Sequence, residues 1–150
     1  MGHKITKRFK FVAGHRLTFH DGACYNRHGH NYEVKITAEA DGLKDNMVVD
    51  FSRLGQLFDE LVHKPWDHAF LYYEKDPLLQ VDLEWNKKAR EDNRRELKIV
   101  SLPFETTAEN IAEHIQKLFY TVFRTETNGR VVVRRVKIYE TPTNEAVYYG

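Results

Sequence analysis

The sequence contains only one cysteine and no long apolar run. The first excludes an internal disulfide, and the second excludes a membrane-spanning helix. One cysteine cannot form an internal disulfide, so Cys24 is a free thiol, which fits a reducing compartment. The longest apolar runs are a few residues, far short of the roughly 20 that a membrane-spanning helix needs. Residues 1–11 lack the apolar stretch and cleavage site of a signal peptide, which predicts a cytoplasmic location.

Neither sign of charge is in excess, because 23 Lys and Arg residues face 22 Asp and Glu residues. No overall electric field therefore attracts nucleic acid or an acidic membrane, and neither is expected as a partner. A hydrophobic content of 41% with 30% charged residues is ordinary for a globular protein. We predict a single domain over residues 1–150, since this length supplies one well-packed core.

Alternating apolar and polar residues predict two strands near the N-terminus. In residues 5–11 the apolar side chains share one parity, which His15 continues. In residues 28–40 the alternation is cleaner, and His28 and His30 lie on the apolar side. The connection between the two stretches is rich in turn-forming residues, so the strands can pair as an antiparallel hairpin with a long loop.

Two amphipathic helices follow, each with apolar residues at helical spacing. The first begins after Asp50, a suitable N-cap, and is predicted to end before Pro65. The second begins near Thr106, which has capping-box spacing to Glu109. Their apolar positions are Leu54, Leu57, Phe58, Leu61 and Val62 in the first helix, and Ile111, Ile115, Leu118, Phe119 and Val122 in the second.

The C-terminal part predicts two more strands, separated by the turn-forming sequence TPTN. The apolar parity of the first of them ends in Glu140. This order of elements predicts an α+β domain in which two helices cover one face of an antiparallel sheet. Residues 72–97 fit the scheme poorly because they are dense in both signs of charge, and we predict a solvated hairpin or loop insertion there.

The histidines of the second strand indicate a metal site. His28 and His30 lie roughly 6 to 7 Å apart at Cα on one strand face, close enough to converge on one ion. Zinc takes neutral imidazoles and needs a third protein ligand, for which His15 is the best candidate because it ends the neighbouring strand with the same parity. The alternative is two hydrogen-bonded histidines at the edge of the core, which would bury two titratable rings side by side. A cupin-type site is disfavoured, since Val34 and Lys35 occupy the places where its glutamate would stand.

Three interpretations of Cys24 remain open on residue chemistry. The thiol is a fourth zinc ligand, a reactive thiolate near the metal, or inert. The adjacent pair Asp67 and His68 could polarise an imidazole for proton transfer with a thiol, or simply form a capped turn packed against Trp66. Glu140, on an inward parity, is either a strand-end residue in water or a buried carboxylate that recognises two adjacent N–H donors.

Six stretches in order resemble the 6-pyruvoyl-tetrahydropterin synthase / 6-carboxytetrahydropterin synthase family, and they span nearly the whole chain. They are FVAGH (11–15), CYNRHGHNY (24–32), VVDF (48–51), WDHAFL (66–71), TTAEN (106–110) and YETPTNEAVY (139–148). The chain departs from the compact bacterial members in the longer segment 72–97, and has Trp66 where an aliphatic residue is more usual.

The resemblance implies a role for each matched residue. The zinc ligands would be His15, His28 and His30. The catalytic residues would be Cys24, Asp67 and His68. The residues that bind the pterin would be Glu140, Thr106 and Thr107, although capping alone is an adequate account of the threonines.

The resemblance also implies a fold, a substrate and an assembly. The fold would be the tunnelling fold, an antiparallel four-stranded sheet with two helices on one face, assembled into trimers or hexamers with active sites at subunit interfaces. The substrate would be 7,8-dihydroneopterin triphosphate, acted on with Zn²⁺ and without an external redox cofactor.

Two branches of the family share these parts. Three residues separate Cys24 from HGH, the spacing usual in bacterial 6-carboxytetrahydropterin synthases of the queuosine (7-deazaguanine) pathway. Alternatives are the 6-pyruvoyl-forming reaction and a non-catalytic zinc- or pterin-binding module.

Overall fold

Two long strands form the centre of the structure, a computed structural model that describes residues 2–150. Strands β1 (His3–His15) and β2 (His28–Ala40) pair antiparallel along their whole lengths, with Phe11 opposite Tyr32 and His15 opposite His28. The predicted hairpin with a long connection is therefore confirmed.

A helical segment follows β2 and runs further than the sequence predicts. Helix α1 (Phe51–Phe58) begins at Asp50, whose carboxylate accepts a 2.7 Å hydrogen bond from the amide of Ser52, so the predicted N-cap is confirmed. The chain continues through a π-helical turn (Asp59–His63) into the short helix α2 (Lys64–Trp66). The predicted end before Pro65 is wrong, because the wider π turn accommodates a residue that has no N–H to donate.

The segment after α2 contains a strand, a helix and a second strand: β3 (Ala69–Tyr73), α3 (Pro77–Glu91) and β4 (Ile99–Leu102). β3 lies parallel to β1, and β4 lies parallel to β3. Parallel neighbours need a crossover connection, and α3 supplies the one between β3 and β4. The hairpin or loop predicted for residues 72–97 is therefore wrong.

The last helix, α4 (Ala108–Glu126), is capped by Thr107, whose hydroxyl accepts a 3.3 Å hydrogen bond from the amide of Asn110. The N-cap predicted at Thr106 is thus displaced by one residue to Thr107, no side chain returns to form the predicted capping box in the described residues, and Thr106 is instead completely buried. Strands β5 (Val131–Thr141) and β6 (Asn144–Tyr149) complete the chain as an antiparallel hairpin, which confirms the turn predicted at TPTN.

The sheet has six strands in the order β4-β3-β1-β2-β5-β6. The prediction of an α+β fold is confirmed, but a four-stranded, wholly antiparallel sheet is wrong because β3 and β4 extend it in parallel. One continuous core joins the sheet to α1 and α4. Its fully buried members include Val34, Ile36, Leu54, Ile111, Ile115, Phe119, Val136 and Ile138.

Helix α3 packs on the other face of the sheet. In β3, Leu71 belongs to the main core, so the alternation of the strand points Tyr72 to the opposite side. There the hydroxyl of Tyr72 donates a 2.5 Å hydrogen bond to Asp82 of α3.

In residues 2–150, no helix has the length and apolar character that crossing a membrane requires.

Candidate active site

Three imidazoles meet where β1 ends and β2 begins. His15 lies directly opposite His28, and His30 lies opposite Ala13, so the antiparallel register brings the three rings together on the core face. The ring centroids are 4.6 to 5.1 Å apart, and one nitrogen of each ring lies within 4.8 Å of the others. The convergence expected from strand parity is therefore found.

The hydrogen bonds of two of these rings fix which nitrogen is free. Nδ1 of His15 lies 2.8 Å from the carbonyl oxygen of Thr106, and Nδ1 of His28 lies 2.8 Å from that of Asn26. A carbonyl can only accept, so Nδ1 donates, and in the neutral form of each ring Nε2 is the nitrogen that presents a lone pair. Holding a ligating histidine through its second nitrogen is the usual way in which proteins orient metal-binding imidazoles.

The chemistry of the three free nitrogens fits a metal ion. Nε2 of His15, His28 and His30 is shielded from solvent and has no hydrogen-bond partner in the protein. Burial lowers the pKa of His15 to about 4, despite the opposing Thr106 contact, and burial also lowers the pKa of His30. Neutral imidazoles with unpartnered lone pairs are costly to bury unless a cation binds them, and this donor set suits zinc.

Glu140 lies beside the histidines. Its carboxylate oxygens are 3.9 Å from Nε2 of His15 and 3.8 Å from Nε2 of His30. It is the extra residue of a β-bulge between β5 and β6, an irregularity that commonly redirects a side chain. Burial raises the pKa of Glu140, and the nearby charge of Glu109 raises it further.

Two clefts border this carboxylate. One, of about 280 Å³, is lined by Thr107, Glu109 and Glu140 at the start of α4. The other, of about 840 Å³, is lined by His30, Asp67 and Glu140 together with basic side chains of the sheet. Glu140 and Thr107 are thus brought together, whereas Thr106 lies beneath the site and contacts His15.

Asp67 and His68 form a fixed pair at the start of β3. Oδ2 of Asp67 accepts a 2.6 Å hydrogen bond from Nδ1 of His68, and Oδ1 accepts a 2.9 Å bond from the amide of Val12. Burial alone would raise the pKa of Asp67, but these two contacts outweigh it and the net pKa lies below its usual range. His68 has a left-handed backbone with φ of 59°, and its amide donates to the carbonyl of Val12. The pair holds the His68 ring with Nε2 free, and the ring is 77% exposed.

Cys24 lies in a short 3₁₀ turn (Ala23–Tyr25), and its thiol is partly exposed. The thiol is not among the groups that converge with the histidines. In the described residues 2–150, no hydrogen bond joins its sulfur to Asp67 or His68. One chain therefore assembles the histidine cluster with Glu140, and separately the Asp67–His68 pair, without a hydrogen bond from the thiol to that pair.

A family model described as 6-pyruvoyl tetrahydropterin synthase matches residues 4–150, which is nearly the whole chain. The chain belongs to the 6-pyruvoyl tetrahydropterin synthase family. The resemblance found in the six motifs is thereby confirmed.

Relatives of this family from bacteria carry a more specific name. A protein of Haemophilus influenzae named 6-carboxy-5,6,7,8-tetrahydropterin synthase is 33% identical over 149 residues, with 97% of each chain covered. An Aquifex aeolicus protein of the same name is 31% identical, with 97% of this chain and 96% of that one covered.

Solved structures of similar chains agree with the fold. An uncharacterized protein of Wolinella succinogenes superposes with a TM-score of 0.81 at 25% identity, covering 100% of this chain and 99% of that one. The 6-pyruvoyl tetrahydropterin synthase of Caenorhabditis elegans superposes with a TM-score of 0.67 at 25% identity, covering 100% and 96%.

The contacts that hold the site residues in place could not be predicted from the sequence. The carbonyls of Thr106 and Asn26 orient two histidines, and a backbone carbonyl leaves no residue-type signal. The ammonium of Lys98 donates 2.7 Å bonds to the carbonyls of Lys64 and Asp67 and so supports the Asp67–His68 turn. Lys98 is separated in sequence from its partners, so only the parallel alignment of β3 and β4 could have indicated it.

Proposed function

We propose that this protein is a zinc-dependent 6-carboxy-5,6,7,8-tetrahydropterin synthase. It converts 7,8-dihydroneopterin triphosphate into 6-carboxytetrahydropterin, acetaldehyde and triphosphate. The observation that carries the proposal is the convergence of three shielded, unpartnered Nε2 atoms beside the carboxylate of Glu140. The bacterial relatives of that name, 31% to 33% identical, support it.

His15, His28 and His30 hold the ion. When bound, zinc would act as a Lewis acid that polarises the oxygens of the substrate side chain and acidifies the neighbouring C–H and O–H bonds. The donated Nδ1 protons of His15 and His28 keep both rings in the tautomer that presents Nε2.

Glu140 binds the amino-pyrimidine edge of the pterin. That edge presents adjacent N–H donors, and a carboxylate can accept from two of them at once. Thr107 adjoins Glu140 in the smaller cleft, where the start of α4 contributes to the pterin pocket. Thr106 contributes to the site indirectly, because its carbonyl oxygen accepts the hydrogen bond that orients the His15 ring.

Cys24 removes a proton from the substrate side chain as a thiolate, and His68 exchanges a proton through its free Nε2. Asp67 orients the His68 ring by accepting the hydrogen bond from its Nδ1. The imidazole of His68 is largely exposed, and in the described residues no hydrogen bond joins it to the thiol of its own chain. A second copy of the chain is therefore proposed to bring the pair to Cys24 within a homotrimer or homohexamer.

The reaction balances without an external oxidant or reductant. Loss of triphosphate and internal redox rearrangement give a side chain with two adjacent carbonyls. Addition of water across the bond between those carbonyls then leaves a carboxylate on the pterin and releases acetaldehyde. A reaction that stopped before this cleavage would give the 6-pyruvoyl product. That activity, 6-pyruvoyl-tetrahydropterin synthase, is the second candidate function. The three-residue spacing between Cys24 and HGH favours the 6-carboxy product and a place in queuosine biosynthesis in the cytoplasm.

We also propose that the chain forms a single functional domain. Residues 1–150 act as one pterin synthase domain, and the segment 72–97 is a family-variable addition that contains α3.

The decisive comparison is between the wild type and Cys24→Ala, with zinc content and turnover of 7,8-dihydroneopterin triphosphate measured on each. We expect the variant to retain zinc and to lose turnover, because the thiol acts beside the metal. Loss of zinc in the variant would instead make Cys24 a ligand. A zinc-loaded wild type that leaves the substrate unchanged would refute the enzyme and leave a non-catalytic binding module.

A further inference from the structure

Helix α3 contributes two buried carboxylates that the proposed reaction does not use. They are Asp76, at the N-cap, and Asp82, one and a half turns into the helix. Both point to the loop that carries Cys24, defined here as residues 16–27 and called the Cys24 loop.

The first carboxylate holds the start of the loop. Asp76 accepts bonds of 2.7 Å from Nε and 2.9 Å from Nη2 of Arg16, and these side chains are only 1% and 8% exposed. The remaining arm of Arg16 donates a 3.2 Å bond to the carbonyl of Tyr25, and its guanidinium lies 4.7 Å from the ring of that tyrosine. Tyr25 directly follows Cys24, so Asp76 reaches the neighbour of the thiol through one rigid guanidinium.

The second carboxylate holds the end of the loop. Asp82 accepts a 3.2 Å bond from Nη2 of Arg27 and a 2.5 Å bond from the hydroxyl of Tyr72. The guanidinium of Arg27 also lies 5.4 Å from the ring of Phe70. Arg27 is three residues after Cys24 and directly precedes His28, so this contact fixes the chain between the thiol and the histidine cluster.

The buried Arg16–Asp76 ion pair contributes geometry more than stability, because the desolvation of both partners offsets much of their attraction. A bidentate guanidinium–carboxylate contact defines direction as well as distance. The bidentate Arg16–Asp76 contact and the single Arg27–Asp82 bond hold the two sides of a turn that has few apolar contacts of its own, since no residue of Ala23–Tyr25 is buried.

We propose that Asp76 and Asp82 are positioning residues for the Cys24 thiol, and that α3 serves as a clamp on the Cys24 loop. The inference rests on the proposed function only in taking Cys24 as the reacting thiol. Neither carboxylate touches the substrate; each acts through an arginine on the chain that carries the sulfur.

The single cysteine of the chain makes the test direct, because iodoacetamide reports on Cys24 alone. The variant is Asp82→Asn, which removes the charge and keeps the volume. The matched control is Glu84→Gln on the exposed side of the same helix. We expect Asp82→Asn to change the alkylation rate about threefold or more and to lower kcat about tenfold, since small misplacements of a reacting group are costly. KM should stay within about twofold and zinc content should be unchanged, which a general loss of structure would not produce.

Arg27→Gln tests the same contact from the other side and remains available if Asp82→Asn does not fold, since the Arg27 side chain is 43% exposed. Because the two side chains act through each other, the double variant should be no worse than either single variant. Unchanged alkylation in Asp82→Asn and Arg27→Gln, or an equal change in Glu84→Gln, would overturn the clamp. A wild type without turnover would refute the proposed function, while alkylation and zinc content would still decide the clamp.

Discussion

Each histidine of the cluster depends on contacts that only the folded chain provides. His15 is 1% exposed, and burial lowers its pKa to about 4, so it is neutral at neutral pH and needs no proton loss to ligate. Its Nδ1 is held by Thr106, while that of His28 is held by Asn26, which lies at the end of the Cys24 loop. The histidine cluster and the Cys24 loop are therefore joined through a backbone carbonyl.

Replacement of one imidazole should remove the metal. We expect His28→Ala to lose most of its zinc on dialysis against a weak chelator, because two imidazoles are fewer than the three protein ligands of zinc sites. His63→Ala is the matched control, since His63 is half exposed and lies outside the cluster. Metal analysis after dialysis is the measurement; one zinc per chain in both variants would contradict the assignment.

Replacement of Glu140 should separate pterin binding from metal binding. Glu140→Gln keeps the size of the side chain but presents an amide donor to the pterin's own N–H groups. We expect binding of a non-reactive pterin to weaken about tenfold to a hundredfold, corresponding to the loss of a charge-assisted contact. Zinc content should stay near the wild-type value.

Glu126→Gln, at the end of α4, is the control, because Glu126 pairs with Arg53 and lines neither of the two clefts beside Glu140. Calorimetry with the pterin and metal analysis of the same samples give the two readouts. Zinc loss in Glu140→Gln with unchanged pterin affinity would make the carboxylate a metal ligand instead.

Among the elements, α3 joins the sheet to the Cys24 loop and its N-cap is also the partner of Arg16. Burial alone would raise the pKa of Asp76, but the hydrogen bonds from Arg16 and from the amide of Leu78 outweigh it, so the net pKa lies below its usual 3.8. A carboxyl whose pKa is lowered on folding contributes stability above its unfolded pKa. That contribution disappears as the pH falls through the folded value, below about pH 4.

The difference in free energy of unfolding between wild type and Asp76→Asn should therefore depend on pH. We expect the wild type to be the more stable near pH 7 and the difference to shrink towards about pH 3, because asparagine does not titrate. Urea unfolding of both proteins at the two pH values is the measurement, with Glu84→Gln as the control that should track the wild type. A difference that stays constant with pH would show that the Asp76 carboxylate is not held ionised.

The elements that the sequence predicts and those that it misses differ in the range of their contacts. The β1–β2 hairpin follows from local alternation, and its parity alone brings His15 to His28 and His30. Helix α3 cannot be predicted from hydrophobic spacing, because its buried stripe includes the polar residues Asp82 and Asn86. Strands β3 and β4 are short, pair in parallel and lack clean alternation, so their pairing depends on contacts distant in sequence. The role of Cys24 cannot be decided from the sequence for the same reason, since the residues that hold its loop belong to α3, which is distant in sequence.

At the scale of the whole molecule, one chain holds the parts of the proposed site in two places. Cys24 lies in the loop at one end of β1, and the exposed His68 ring stands beside the start of β3. If a second copy completes the site, two inactive variants can restore each other in a mixed oligomer. We expect Cys24→Ala and His68→Ala to be inactive alone and to recover up to about a quarter of wild-type turnover per site when mixed and reassembled.

The recovered activity should require subunit exchange, so mixing without dissociation should give none. Turnover of 7,8-dihydroneopterin triphosphate is the measurement, and a mixture of Cys24→Ala with Asp67→Ala should behave in the same way. No recovery after verified exchange would place the thiol and the Asp67–His68 pair in one chain.

Cleavage of the substrate side chain distinguishes the proposed 6-carboxy reaction from the 6-pyruvoyl alternative. The most direct measurement is the mass-spectrometric identification of the products that zinc-loaded wild type forms from 7,8-dihydroneopterin triphosphate, with acetaldehyde and triphosphate quantified together. We expect 6-carboxytetrahydropterin with one acetaldehyde for each triphosphate released. Triphosphate accompanied by a 6-pyruvoyl pterin and no acetaldehyde would contradict it.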